Sequence, residues 1–173
     1  PERSALRRGM AARILARQLG LPPEAIAISR EPRGRPLVAQ PRGSGLHLSL
    51  ATRAGMVAVA LAHNPVGVDV EAVDEAAAPP LGVLHADEMS WLSGQPPERH
   101  ALAFARLWSA KEAYVKALGT GFSRPPESFA VRLSTEGRIT VWDGPRAVAA
   151  SGVSRTIENG GQEILAAAMV VLG

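Results

Sequence analysis

Apolar residues near the start of the chain recur at the spacing of a helix. They predict a helix over residues 3–19 that ends at Gly20, because glycine is typical of the position just after a helix. The apolar stripe of this helix consists of residues about four apart, namely Leu6, Met10 and Ile14 and, less regularly, Leu15 and Leu19.

Further along, apolar runs bounded by glycine, proline and polar residues predict strands. The first group of strands covers residues 46–50, 55–62 and 66–73, and the second group covers residues 128–134, 138–142 and 163–171. Helical spacing predicts a short helix over residues 85–92 and a long helix over residues 99–118 that is followed by Gly119.

The order of these elements predicts an α+β fold with two similar halves, each a long helix packed on a small antiparallel sheet. Strands and helices do not alternate, which argues against a parallel sheet. The stretch 74–82, rich in alanine and proline, is the best candidate for a boundary. We therefore place the halves at residues 1–75 and 76–173, with the active site in the cleft between them.

Composition narrows the class of protein. With 173 residues, of which 46% are hydrophobic, the chain can bury a sizeable core and is too apolar to be disordered. The absence of cysteine excludes disulfides, thiolate metal sites and cysteine nucleophiles. No apolar run reaches the roughly 18 residues of a membrane span. The arginine-rich first twenty residues do not form a secretory signal, so we expect a cytoplasmic protein without membrane association.

The charge favours anionic ligands. The formal net charge is +3, and the basic residues are 17 arginines and 2 lysines. Arginine binds phosphate through two parallel hydrogen bonds. The arginines are scattered through predicted helices and loops, and no aromatic residue alternates with a basic run. We therefore expect no nucleic-acid partner.

Two carboxylates stand two residues apart in the predicted strand "VGVDVE", which starts at Val66. Side chains two apart on a strand point to the same face, so Asp69 and Glu71 lie side by side although like charges repel. A solvent-facing strand is one explanation. A bound cation is the other.

The long predicted helix carries Trp108, Glu112 and Lys116 four residues apart, on one face. By themselves, Glu112 and Lys116 are typical of a surface ion pair, and Trp108 of a core residue. Together with the two strand carboxylates, however, Glu112 completes a set of three, the ligand type that Mg²⁺ takes alongside substrate phosphates. Lysines on either side of Glu112 can neutralise phosphate oxygens, which suits a diphosphate substrate.

These stretches carry a family resemblance. "VGVDVE" followed by "LWSAKEAYVKALGTGF" resembles the paired motif of the 4′-phosphopantetheinyl transferases, in their larger, pseudodimeric, surfactin-synthetase-activating type. The family pattern is G-[IV]-D-[IV]-E, then W-[ST]-x-K-E-[AS]-x-x-K-x-x-G-x-G, and every fixed position is present. Upstream, "RGRP" at residues 33–36 resembles the family's G-K-P turn, with Arg35 in the place of lysine.

The resemblance implies a reaction. Enzymes of this family move the phosphopantetheine arm of coenzyme A onto a serine of an acyl or peptidyl carrier protein and release 3′,5′-ADP. Such carriers serve fatty-acid, polyketide or nonribosomal peptide synthesis. The family fold and the pattern imply that Mg²⁺, or alternatively Mn²⁺, is held by Asp69, Glu71 and Glu112.

The resemblance also implies how coenzyme A is bound. The implied coenzyme-binding residues are Gly34, Arg35, Pro36, Thr52, Arg53, Asp69, Lys111 and Lys116, with Arg8 added from the first helix. Glu112 and Lys116 are the implied catalytic residues, together with Glu88. Some family members carry a glutamate that activates the serine twenty residues before the motif tryptophan, which is the position of Glu88. A first-turn helix carboxylate, favoured by the helix dipole, is the alternative for Glu88.

Two features depart from the family pattern. The family's S-H-[ST] stretch corresponds to residues 51–53, so the phosphate-binding histidine is absent. This leaves Thr52 to donate a hydrogen bond and Arg53 to supply charge. Longer members also carry basic phosphate contacts ahead of the first helix. Arg7 and Arg8 are candidates to replace them, with surface solvation the expected role of at least one.

The prediction is a monomeric, Mg²⁺-dependent 4′-phosphopantetheinyl transferase, because the smaller single-half enzymes of the family are the ones that assemble as trimers. One alternative is a catalytically weakened protein of the same fold that binds coenzyme A or a carrier protein, since Thr52 replaces the histidine. The intact carboxylates argue against that alternative. A basic nucleic-acid-binding module is a second alternative, which the scattered arginines disfavour.

Overall fold

The structure is a computed structural model that describes residues 2–161 and 163–173. Its α-helices are α1 (Glu2–Leu19), α2 (Ala86–Ser93) and α3 (His100–Leu118). The strands of a first sheet are β1 (Ala27–Arg30), β2 (Pro36–Gln40), β3 (His47–Arg53) and β4 (Met56–Ala62), in that order. The strands of a second sheet are β5 (Val66–Ala72), β6 (Ala130–Leu133), β7 (Arg138–Trp142), β8 (Ala150–Asn159) and β9 (Glu163–Leu172).

The architecture confirms the predicted α+β class. Every strand pairing is antiparallel, and the second sheet has the order β5-β9-β8-β7-β6. Helix α1 packs on the four-stranded sheet and helix α3 on the five-stranded sheet. The chain thus contains two units, each a long helix on an antiparallel sheet.

Strand β5 belongs to the second sheet, although we had grouped it with the first half. It pairs with β9 along its whole length, from Val66 opposite Val171 to Ala72 opposite Leu165. Because no other strand of the described residues pairs with β5, it is an edge strand. A domain boundary after residue 75 stays a prediction, but the strand that carries the carboxylates lies beyond the point where the first sheet ends.

Three strands were not predicted, namely β1, β2 and β8. Strand β8, "ASGVSRTIEN", is largely polar and pairs with β9 over ten residue pairs. Its partner is the apolar run "EILAAAMVVL". The strand therefore forms because it completes the hydrogen bonding of β9, and its own apolar pattern carries little signal.

Helix α1 buries a face that differs from the predicted stripe. Ala11 and Leu15 are fully buried, and Leu19 packs against the same cluster. These residues are also four apart, and the small alanine allows close contact with the sheet. The exposed residues of the predicted stripe are Leu6 (60% exposed), Met10 (40%) and Ile14 (42%). The prediction was wrong for these three. Both sets of residues are spaced four apart, and we had chosen the set with the larger apolar side chains.

Helix α3 lies unusually close to β5. A Cβ atom on Gly67 would sit 1.8 Å from the carbonyl oxygen of Ala113 and 2.6 Å from the backbone nitrogen of Ala117. Only glycine leaves room for this approach. The two elements that carry the motif carboxylates are therefore held backbone against backbone.

The two sheets meet through a shared apolar cluster. It contains Ala51 and Ala60 of the first sheet and Val66, Val68 and Leu165 of the second. Beside it, the backbone N–H of Val68 donates a 3.0 Å hydrogen bond to the buried Oγ of Ser49. This bond fixes β3 next to β5.

Among the described residues, no helix combines the length and apolar character needed to cross a membrane.

The contact at Gly67 generates a prediction. Gly67→Ala should destabilise the fold by about 3 kcal/mol or more, because neither backbone segment can move away without loss of hydrogen bonds. Gly82→Ala is the control, since an added Cβ there meets nothing within 4 Å. Chemical denaturation of both variants measures the difference. Equal stability of the two variants would contradict the close approach.

Candidate active site

A cavity of about 360 Å³ opens between the two sheets. Five stretches of chain line it: α1, the β1–β2 turn with the strand ends beside it, β3, β5, and the end of α3 with the loop that follows. Its charged lining is mostly cationic, with Arg7, Arg30, Arg33, Arg35, Arg53 and Lys116 against Asp69 and Glu71. The cavity is therefore suited to a ligand with several negative charges.

Most of the residues implied by the family resemblance meet in this cavity. The predicted residues that line it are Gly34, Arg35, Pro36, Thr52, Arg53, Asp69, Glu71 and Lys116. Glu112 lies next to them on α3, where its charge interacts with those of Asp69, Glu71 and Lys116. The predicted residues that do not line the cavity are Glu112 itself and, further from the carboxylates, Arg8, Glu88 and Lys111.

Asp69 is the most deeply buried acid of the site, at 6% exposed. Its Oδ1 accepts a 2.6 Å hydrogen bond from Nζ of Lys116, which also donates to the carbonyl oxygen of Val68 at 3.2 Å. Its Oδ2 is buried and has no hydrogen-bond partner. The explanation as a solvent-facing strand is therefore wrong for Asp69. The surface ion-pair interpretation of Lys116 is also wrong, because its ion pair crosses to β5.

The three carboxylates share one environment. Burial raises the pKa of Asp69, and the Lys116 ammonium opposes that rise. Burial first, and the negative charge of Asp69 second, raise the pKa of both Glu71 and Glu112. The guanidinium Nε of Arg53 lies 3.6 Å from Oε2 of Glu71 and partly offsets its charge. This concentration of negative charge favours protonation or a bound cation.

The carboxylate oxygens are the kind of ligand atom that a hard divalent cation prefers. All candidate ligands are carboxylate oxygens, and the unpartnered Oδ2 of Asp69 leaves one buried oxygen available. As the described side chains are placed, no group of three or more Asp, Glu or His residues already surrounds a metal position. The Lys116 ammonium contacts Asp69 instead. Metal binding by Asp69, Glu71 and Glu112 therefore stays a prediction.

Glu88 and Lys111 form a buried ion pair away from the cavity. Lys111 Nζ lies 2.7 Å from both carboxylate oxygens of Glu88 and 2.7 Å from the carbonyl oxygen of Phe129. Glu88 also accepts hydrogen bonds from the backbone N–H groups of His85, as part of the capping box of α2, and of Val131. Glu88 is 1% exposed and Lys111 is 0% exposed.

This placement corrects two assignments. Lys111 makes three hydrogen bonds inside the protein and contacts no part of the cavity, so a phosphate contact is not supported. Glu88 is the first-turn carboxylate of α2 that we named as the alternative. It ties α2 and β6 to α3, and a role in activating serine is not supported.

Helix α1 contributes Arg7 to the cavity rather than Arg8. Arg7 is half-buried and lines the cavity, whereas Arg8 is exposed and does not. Arg7 lies one and two turns before the buried residues Ala11 and Leu15, so it belongs to the buried face of α1. That spacing is the sequence signal that would have selected it.

Arg35 is held in place by residues from both halves. Its guanidinium donates a 3.3 Å hydrogen bond to Nδ1 of His47. Burial, and then the charge of Arg35, lower the pKa of His47, which keeps the imidazole neutral and able to accept. Gly119 ends α3 with φ of +71°, and a Cβ there would meet Arg35 at 2.9 Å. The end of α3 and the β1–β2 turn thus lie against each other.

Comparison with known proteins decides the family. The family model described as "4′-phosphopantetheinyl transferase superfamily" matches residues 65–166. The chain belongs to this superfamily. The matched range begins just before β5 and contains the whole of α3.

Individual phosphopantetheinyl transferases resemble the chain closely. The transferase psf-1 of Bacillus pumilus is 37% identical over 131 residues, which are 74% of this chain and 54% of that protein. The transferase gsp of Aneurinibacillus migulanus is 29% identical over 68% of this chain and 48% of its own length. The transferase Sfp of Bacillus subtilis is 28% identical over 74% of this chain and 57% of its own length. The chain thus spans about half the length of the curated relatives it matches.

Two solved structures overlap with part of the molecule. The holo-[acyl-carrier-protein] synthase of Thermotoga maritima has a TM-score of 0.47 and 23% identity, over 62% of each chain. A holo-(acyl-carrier-protein) synthase of Bacillus anthracis, solved in complex with CoA (3′,5′-ADP), has a TM-score of 0.47 and 20% identity. It covers 62% of this chain and 94% of that chain.

The buried ion pair generates a prediction about Glu88. Glu88→Gln should destabilise the protein by about 3–5 kcal/mol, because it leaves the Lys111 ammonium buried without its counter-charge. Denaturant unfolding measures this loss. Replacement of both residues, Glu88→Gln with Lys111→Met, should recover part of the stability. A fully stable Glu88→Gln variant with lost activity would instead restore the catalytic assignment.

The raised pKa of Glu112 generates a second prediction. A carboxyl with a pKa raised by folding contributes stability below its unfolded pKa and loses it as the pH rises through the folded pKa. Glu112→Gln should therefore raise the melting temperature of the cation-free protein at pH 7, with a gain that shrinks toward acidic pH. Glu75→Gln, at an exposed loop position, is the matched control. Thermal scans at several pH values test this, and a gain independent of pH would contradict it.

Proposed function

We propose that this protein transfers the 4′-phosphopantetheine group of coenzyme A to a serine of an apo carrier protein and releases 3′,5′-ADP, with Mg²⁺ or Mn²⁺ as cofactor. The observation that carries the proposal is the convergence of separate motifs in one cavity. The "RGRP" turn, the strand carboxylates and the end of α3 are distant in sequence and line the same 360 Å³ space. Membership of the superfamily supports the same reaction.

The chemistry is a phosphoryl substitution. The serine oxygen of the carrier attacks the phosphorus that bears the pantetheine arm, and a new P–O bond forms. The bridging P–O bond to the nucleotide breaks, so that 3′,5′-ADP leaves and the serine proton passes to the solvent. Negative charge builds on the leaving phosphate, and catalysis of such a step depends mainly on positioning and charge stabilisation.

The residues of the cavity suit these tasks. Asp69, Glu71 and Glu112 would hold the divalent cation. When bound, the cation supplies positive charge to the diphosphate. Lys116 extends from the last turn of α3 with its ammonium at Asp69, close enough to the carboxylates to contact a phosphate that they approach. Arg35 would contact the nucleotide from the β1–β2 turn, beside the end of α3.

The carrier protein is the proposed macromolecular partner. Acyl and peptidyl carriers, either free or as domains of a synthase, present the serine that accepts the arm. The excess of arginine around the cavity supports docking of an acidic carrier surface. We propose further that the enzyme acts as a cytoplasmic monomer without nucleic-acid or membrane partners, since its two helix-on-sheet units enclose the cavity within one chain.

A binding protein of the same fold is the second candidate. The presence of Thr52 where the family pattern has histidine favours this candidate, because weaker binding of the phosphate reduces turnover. Mass spectrometry of an apo carrier incubated with coenzyme A, Mg²⁺ and the protein separates the two. The transferase converts the carrier to its holo form over many turnovers, whereas the binding protein forms a complex and leaves the carrier unmodified.

Asp69→Ala tests the metal role. The variant should lose transfer activity by about a hundredfold or more, because the diphosphate then lacks charge stabilisation. Melting temperature, measured on the same samples, verifies that it is folded. Titration of Mn²⁺ by electron paramagnetic resonance should show weaker metal binding. Wild-type activity in folded Asp69→Ala would rule out this metal assignment.

Lys116→Ala tests the phosphate role. Lys116→Ala should lower kcat more than it weakens coenzyme A binding, because a charge placed at developing negative charge acts mainly on the transition state. Lys116→Arg should rescue only partly, since the planar guanidinium differs in shape from an ammonium. Steady-state kinetics with an apo carrier, beside equilibrium coenzyme A binding, provides the measurement. Near-wild-type turnover in Lys116→Ala would remove Lys116 from the site.

A further inference from the structure

Three polar side chains from separate elements meet at the loop after α3. Tyr114 of α3 is 2% exposed, and its hydroxyl donates a 3.0 Å hydrogen bond to Oδ2 of Asp143, the first residue after β7. The other carboxylate oxygen of Asp143, Oδ1, accepts a hydrogen bond from the guanidinium of Arg124, which lies in the loop. One carboxylate thus joins the body of α3, the end of β7 and the loop that follows α3.

Both groups that contact Asp143 depend on it as a partner. Burial first, and then the hydrogen bond to Asp143, raise the pKa of Tyr114 to about 12, so the hydroxyl stays protonated and donates. Arg124 is half-buried, its Nε is buried without a hydrogen-bond partner, and Asp143 supplies its counter-charge. A half-buried guanidinium without that charge is costly. Loss of the charge would therefore favour movement of the loop, which exposes Arg124 to water.

The loop that contains Arg124 forms part of the cavity wall. Gly119 and Gly121 line the cavity, and their φ angles are +71° and +56°. Glycine reaches such angles easily but is equally free to leave them, so the two glycines do not hold the loop by themselves. A Cβ on Gly119 would meet Nη1 of Arg35 at 2.9 Å. Movement of the loop would therefore change both the cavity wall and the surroundings of Arg35.

We propose that Asp143 is a positioning residue of the site, which holds Arg124 and Tyr114 and thereby keeps residues 119–124 in the conformation that binds the nucleotide. The inference rests on the proposed function. It goes beyond that function because Asp143 and Arg124 lie outside the paired motif and outside the lining of the cavity. A loop that is ordered before binding strengthens affinity, because the ligand does not have to order it.

Calorimetric titration of 3′,5′-ADP into the purified full chain in Mg²⁺ buffer tests the inference. Asp143→Asn should bind the nucleotide about three- to tenfold more weakly than the wild type, because binding must then order the loop. Asparagine keeps the size of the side chain and an acceptor for Tyr114, and it removes the charge that holds Arg124. Glu136→Gln is the matched control and should bind like the wild type. It removes one charge of the exposed Glu136–Arg138 ion pair at the other end of β7.

Arg124→Met tests the same connection from the loop. It should weaken nucleotide binding as Asp143→Asn does, and the two changes together should weaken it no more than either one alone, since they remove the same contact. Tyr114→Phe leaves the ion pair intact and should have a smaller effect. Additive losses in the double variant would overturn the inference, as would equal nucleotide binding by the wild type and both single variants.

Hydrogen exchange separates positioning of the loop from a general loss of stability. Without nucleotide, the backbone amides of residues 119–124 should exchange faster in Asp143→Asn than in the wild type, while those of β8 and β9 stay equally protected. Saturating nucleotide should restore the protection of the loop. Faster exchange throughout the second sheet would overturn the inference in favour of a purely structural role.

Failure of the proposed function has a different signature. The wild type would then leave an apo carrier unmodified in the presence of coenzyme A and Mg²⁺, while 3′,5′-ADP binding still depended on Asp143. If the wild type is active, Asp143→Asn should raise the KM for coenzyme A by a larger factor than it lowers kcat. An unchanged KM in that variant would overturn the inference alone, and absence of nucleotide binding by the wild type would overturn both.

Discussion

The approach of Gly67 to the backbone of α3 is the constraint on which the site depends. With a Cβ position only 1.8 Å from the carbonyl oxygen of Ala113, β5 can lie against the helix only at a glycine. The approach sets the distance between the strand that carries Asp69 and the helix that carries Glu112. Had β5 been one side chain further away, carboxylates on the two elements would not influence each other as they do here.

The two lysines of α3 lie on different faces of the helix and have different partners. Lys111 and Lys116 are five residues apart, so their side chains point roughly 140° away from each other around the helix. Lys111 points into the protein and neutralises Glu88, whereas Lys116 points to the cavity and contacts Asp69. The first pair stabilises the arrangement of α2, α3 and β6, and the second lies at the open site where an ammonium can exchange partners.

The cavity contains both negative and positive charges that the protein does not fully neutralise. Burial raises the pKa of the three carboxylates, and the charge of Asp69 adds to the rise at Glu71 and Glu112. Arginines from α1 and the β1–β2 turn line the same cavity. Neither group is fully neutralised by the protein. A diphosphate nucleotide with a divalent cation would satisfy both, because the cation neutralises the carboxylates and the phosphates neutralise the arginines. This imbalance is the physical reason for regarding the cavity as a binding site and not as a packing defect.

The sequence by itself determined the local elements and the chemistry of the motifs. Helical spacing predicted α3, and the alternation in "VGVDVE" placed Asp69 and Glu71 on one strand face, because both properties depend only on neighbours along the chain. The tertiary structure decided which residues meet. Glu88 and Lys111 matched the family pattern yet lie in a buried ion pair, and Arg7, rather than Arg8, reaches the cavity because the alanine face of α1 turns toward the sheet. Strand β8 formed through pairing with β9. Burial and partners across the fold are long-range properties, and spacing along the chain does not contain them.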